Sequence, residues 1–149
     1  MAHRPSVSKW ISILYRYGHA FYDEKAKVLD ITSGLLAFLM ALYRLEGISQ
    51  DKLSKEIRID KATTARALSR LEQTGYIVRQ PEPSDKRAYR IFLTDKARNA
   101  EDDIRRLLRD WEFRITEGFS TEEKDMAYQL LERMAQNAIR SEKSEGTTE

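Results

Sequence analysis

Along the 149-residue chain, apolar residues recur mostly at spacings of three and four, which predicts a mainly helical protein. From 6 to 27, Val7, Trp10, Ile11, Leu14, Tyr17 and Phe21 line a broad face of one amphipathic helix. Thr32 then offers a cap to a helix whose Leu35, Leu36, Phe38, Leu39, Leu42 and Tyr43 are apolar nearly all round, as expected of a buried centre. Gly47 ends that helix, and Ser49 opens a short one that turns Leu53 and Ile57 inward. Asp60 caps the next, from about Lys61 to Thr74, and Gly75 closes it. Here Thr64, Leu68 and Leu71 share one side, while Ala62, Thr63, Arg66, Ser69, Arg70 and Gln73 share the other.

The period then changes. Tyr76 to Gln80 and Ala88 to Leu93 are rich in β-branched and aromatic residues and flank PEPSDKR, where Pro81 and Pro83 argue against regular pairing. A hairpin with a protruding loop, longer than the usual roughly two to five residues, is expected. Thr94 caps a helix carrying Ala97, Ala100, Ile104, Leu107, Leu108, Trp111 and Ile115. Ser120 with Glu123 makes a capping box for a last helix bearing Met126, Leu130, Met134 and Ala138. Residues 141–149 form a polar tail expected to be flexible. The length suits a single domain over 1–149, and no internal repeat interrupts it.

The two short helices around Arg58 to Asp60 form a helix-turn-helix, a corner that serves plain packing as readily as nucleic acid. Charge adds to the picture through its distribution, because the overall balance is only +2. From Arg58 to Arg90 eight basic residues face four acidic ones, whereas from Asp95 onward ten face fourteen. The hairpin tip carries Lys86 and Arg87, and an extended arginine suits the narrow minor groove of DNA. A solvated turn with routine charges would carry the same residues.

Taken together, these residues resemble the MarR family of winged helix-turn-helix regulators, strongly over about 30–100. Asp85, Arg87, Leu93 and Thr94 match the family's wing pattern D-x-R-x-x-x-x-x-L-T. Thr63, Arg66, Leu71, Glu72, Gly75 and Arg79 match T-x-x-R-x-x-x-x-L-E-x-x-G-x-x-x-R, although Ala65 stands where threonine is commoner. The resemblance implies a winged helix-turn-helix over 30–96, flanked by dimerisation helices at 6–27 and 95–140, in a homodimer that represses transcription. On that footing Thr63, Arg66 and Ser69 approach bases in the major groove of double-stranded DNA, Lys61, Arg70 and Arg90 meet phosphates, and Lys86 and Arg87 extend from the wing. Asp85 is expected to hold the Arg87 guanidinium by a charge-assisted bond.

The resemblance further implies release by a small aromatic or phenolic ligand, for which Arg16, Tyr17, His19 and Tyr43 offer a cation and aromatic walls. No cofactor is called for. There is no cysteine for a thiolate metal site or redox switch, and the only histidines are His3 and His19. No apolar run approaches the roughly 20 residues of a membrane span, and MAHRPSVSKW lacks a signal-peptide core, so a cytoplasmic location is expected. An enzyme is not expected, since no phosphate loop or nucleophile motif is present. The alternative is a winged-helix module that binds protein, which would expose an apolar recognition face instead of Thr63, Arg66, Ser69 and Arg70.

Overall fold

The computed structural model describes residues 6–145. Among these the order is α1 (Val7–Lys25), a 3-10 turn (Ala26–Leu29), α2 (Ser33–Leu45), β1 (Ile48–Ser49), α3 (Gln50–Ile57), α4 (Lys61–Gln73), β2 (Ile77–Glu82), β3 (Asp85–Leu93), α5 (Asp95–Ile115) and α6 (Thr121–Glu145). Where the sequence reads as one domain, the contacts gather in two compact units, one ending at Trp111 and the other beginning at Glu112. His3 and the last four residues of the expected tail lie outside the described residues. Ser141 to Glu145, also assigned to that tail, continue α6; Ser141 Oγ donates back to the Asn137 carbonyl at 2.9 Å, a helical i−4 bond.

The first unit is built on α2. Its Leu35, Leu36, Phe38, Leu39 and Leu42 are all buried, joined by Leu53 of α3, Leu68 and Leu71 of α4, Ile91 of β3 and Ile104 of α5. The expected cap at Thr32 is supplied differently: Thr32 makes no side-chain bond, and Asp23 of α1 accepts the Ser33 amide at 2.6 Å. A carboxylate there suits the positive helix end and also ties α1 to α2. Of the apolar face read on α1, Phe21 is buried, whereas Val7, Trp10, Ile11, Leu14 and Tyr17 stay exposed. Gly18 permits the close pass of Trp111, since a Cβ there would lie 3.3 Å from the indole ring.

The strands form an antiparallel sheet in the order β1-β3-β2. The two residues of β1 were not legible in the pattern, being too few to show an alternation. The expected long loop is also corrected, because only Pro83 and Ser84 separate the strands. Pro81 is accommodated opposite Tyr89 on an edge strand, where a missing amide breaks no second ladder, and the register shifts between Pro81 and Glu82.

In the second unit, Ser120 and Glu123 form the capping box read from the sequence. The Ser120 amide donates to Glu123 Oε2 at 2.8 Å, and the Glu123 amide to Ser120 Oγ at 3.1 Å. The Tyr128 hydroxyl donates to the Glu112 carboxylate, so one turn of α6 is tied to the chain that precedes it. Its apolar residues Met126, Leu130, Leu131 and Met134 nonetheless remain exposed.

Candidate nucleic-acid interface

Helix α4 is held at both ends and along one face. At its start the Thr63 amide donates to Asp60 Oδ1 at 2.8 Å, which holds the Asp60 carboxyl below the usual range. At its end Gly75 adopts φ +78°, a conformation that favours glycine, and Lys96 of α5 donates to the Thr74 carbonyl at 2.6 Å. Thr64, Ala67, Leu68 and Leu71 are buried, and Thr64 Oγ1 donates to the Asp60 carbonyl at 2.9 Å. What remains outward is the face read from the sequence: Ala62, Arg66, Ser69, Arg70 and Gln73 are exposed and Thr63 is half-buried.

Helix α3 reaches this helix through the αL residue Arg58, with Ser49 Oγ accepting the Lys52 amide at 3.3 Å as the start cap. Asp51 in its first turn pairs with Lys55 at 2.8 Å and with Lys61 of α4 at 2.7 Å. Its carboxyl is pulled down to about 2, first by the Lys55 hydrogen bond and then by Lys61. Lys61 is therefore anchored rather than loose. Arg66 instead lies over its own helix, donating to Thr63 Oγ1 at 3.0 Å.

The wing stands beside α4. Asp85, Lys86 and Arg87 open β3 and are all exposed. The expected Asp85 bond to the Arg87 guanidinium is not formed; Asp85 Oδ1 accepts the Arg87 backbone amide at 2.9 Å. The amide lies within reach of an Asx-type turn, and that local bond takes the Asp85 oxygen. The Arg87 guanidinium has no ion-pair partner among the described residues and is left to project from the tip. Arg90, further along β3, pairs with Glu82 of β2 across the bulge.

A residue left out of the expected site is Arg79, although its motif position made it legible. From β2 it reaches α4, donating to Ser69 Oγ at 3.4 Å, with Nε 3.5 Å from Glu72 Oε2. It and Tyr89, also unforeseen, line a cleft of about 390 Å³ whose walls include Ser49, Asp51, Lys61 and Arg87. The base of the wing is fixed from below by Glu46, which accepts the Leu93 amide at 3.0 Å and two bonds from Arg98 of α5.

A family model described as the MarR family matches residues 31–89, the span from the start of α2 to the wing. The uncharacterized HTH-type transcriptional regulator YybA of Bacillus subtilis (strain 168) is 34% identical over 90% of this chain and 89% of its own length. The chain belongs to the MarR family of transcriptional regulators. A second relative, the HTH-type transcriptional regulator BilQ of Clostridioides difficile (strain CD3), is 37% identical over 84% of this chain and 85% of its own length. The crystal structure of a MarR transcriptional regulator from Methanosarcina mazei Go1 superposes with a TM-score of 0.84 at 39% identity, covering 90% of this chain and 96% of that one. MarR proteins are regulators and not enzymes, and the fold is the winged helix expected.

Within one chain of this MarR protein, the four residues expected to line a ligand pocket are spread over α1 and α2. Arg16 donates to Ser12 Oγ at 2.6 Å on the exposed side of α1, and Tyr17 is exposed. His19 Nδ1 lies 2.8 Å from Ser33 Oγ at the start of α2, its ring against Tyr15. Tyr43 stands ten residues further along α2, roughly 15 Å by helical rise, and donates to the Ala97 carbonyl at 2.6 Å. Burial, with Glu101 adding, pushes its phenol up to about 12. The hydroxyl therefore ties α2 to α5.

Proposed function

We propose that this MarR-family chain is a sequence-specific DNA-binding repressor acting in the cytoplasm as a homodimer. The observation that carries the reading is the outward face of α4, polar and cationic from Thr63 to Gln73, beside a wing tip whose Arg87 guanidinium is unengaged. Thr63, Arg66 and Ser69 are assigned to base edges, Lys61, Arg70 and Arg90 to phosphates, and Arg87 with Lys86 to the minor groove at the flank. Asp85 is assigned to shaping the tip through the Arg87 amide. A protein-binding winged helix would present apolar surface on α4, and this helix buries its apolar face.

The homodimer is supported separately in each unit by exposed apolar side chains: Val7, Trp10, Ile11 and Leu14 on α1, and Met126, Leu130, Leu131 and Met134 on α6. A two-fold dimer calls for a pseudo-palindromic operator with half-sites about one helical turn apart. Release by a small aromatic or phenolic anion belongs to the same reading, with Arg16, Tyr17, His19 and Tyr43 as its assigned contacts. A ligand acts only through its difference in affinity for the two states. Salicylate titrated against operator affinity tests it; no shift at millimolar concentration removes that class.

The main test is a mobility shift on the chain's own promoter DNA, repeated across salt. Arg66→Ala should cost about 1–3 kcal/mol and relax discrimination at one position, and Arg87→Ala should weaken binding at the flank. Unchanged affinity in both variants would falsify the docking.

A further inference from the structure

The cations of the DNA-facing surface divide into two groups. Lys61 pairs with Asp51 at 2.7 Å, Arg70 with Asp30 at 3.4 Å, and Arg90 with Glu82. Arg66, Lys86 and Arg87 form no ion pair among the described residues. The paired cations are those assigned above to phosphates, and the unpaired ones include both assigned to base edges and to the minor groove.

The three acids come from different elements. Asp51 lies in the first turn of α3, Asp30 caps the 3-10 turn after α1, and Glu82 ends β2. None is on α4 itself. A cation already facing a carboxylate releases fewer counterions on meeting a phosphate, so it contributes less to affinity that any duplex can claim. Unpaired guanidiniums keep their full capacity for bidentate contact with bases.

Resting on the DNA-binding reading, we infer that Asp30, Asp51 and Glu82 are internal counterions that hold down the sequence-independent share of DNA affinity. They act through Arg70, Lys61 and Arg90, and touch no base themselves.

The test is the full-length triple variant Asp30→Asn/Asp51→Asn/Glu82→Gln, with binding to a promoter duplex and to a random duplex measured across salt. Each change keeps the shape of the side chain. Asp30 has φ 54°, which asparagine adopts readily. Affinity for the random duplex should rise roughly tenfold near 0.1 M salt. The log–log salt slope should steepen by up to about 2.7, at roughly 0.9 for each of three freed cations. A control with the same charge change on α5, Asp102→Asn/Asp103→Asn/Asp110→Asn, lies about 10 Å or more along that helix from its start and should shift the random-duplex affinity by less than about twofold.

A slope identical to that of the parent protein, or equal tightening in the control, overturns the inference while leaving the DNA-binding reading intact. Weaker binding to every duplex also overturns it, because the acids would then be orienting their cations. If the parent protein binds neither duplex at any salt, the DNA-binding reading itself fails.

Discussion

In α4, Thr64, Ala67, Leu68 and Leu71 are all buried inside one chain, whereas in α6, Met126, Leu130, Leu131 and Met134 keep between 39% and 55% of their surface exposed. Both helices carry an amphipathic spacing, and both are capped at the start by an acceptor side chain. The difference lies in what surrounds the stripe. Around α4, the buried face of α2 and the base of the wing complete a core, and Lys96 closes the C-terminal end. Helix α6 has its cap and the Tyr128 bond to Glu112, but its apolar side chains stay exposed. One helix is an internal support for a polar outer face; the other is itself a surface.

The largest expected effect follows from the buried side of that comparison. Leu68→Ala removes a fully buried side chain and should destabilise the chain by about 2–5 kcal/mol, read as a lower urea midpoint than that of the parent protein at equal protein concentration. Leu130→Glu/Met134→Glu on α6 should leave the monomer fold, seen by circular dichroism, largely unchanged. It should raise the dimer dissociation constant by about 100-fold or more in sedimentation velocity, because two charges replace apolar contact. If α6 instead packs only within its own chain, the variant will unfold at all concentrations and the contrast with α4 disappears.

The smallest effect concerns the joint between wing and α5. The Glu46 carboxyl lies below its ordinary value of 4.5, chiefly because Arg98 donates to it, with the Leu93 amide adding to the effect against partial burial. A carboxyl depressed in the folded state contributes stability above its unfolded value and loses it as pH falls through the folded one. Glu46→Gln should therefore cost less than about 1 kcal/mol at pH 7, given the exposure of the pair. That gap should close as the pH is lowered below 4, in urea titrations run side by side. A gap that persists at low pH would assign the effect to packing rather than charge.

Much of this arrangement was legible without coordinates. Period, caps and closing glycines located α2 to α5 closely, because each is set by contacts within a few residues: Asp60 to the Thr63 amide, Ser49 to the Lys52 amide, Gly75 at positive φ. The wing motif placed Asp85 and Arg87 at an exposed tip for the same local reason. Less legible were features that need a partner distant in sequence. Asp23 takes the capping role assigned to Thr32, Tyr43 bonds to Ala97 fifty-four positions away, and β1 exists only through pairing with β3.

By itself, then, the sequence determined the helical order, the outward chemistry of α4 and the family, since these depend on spacing and on short-range hydrogen bonding. Only the tertiary structure decided which cations are neutralised. Asp51, Asp30 and Glu82 reach Lys61, Arg70 and Arg90 from three separate elements, and an ion pair depends on distance in space, which spacing along a chain does not record.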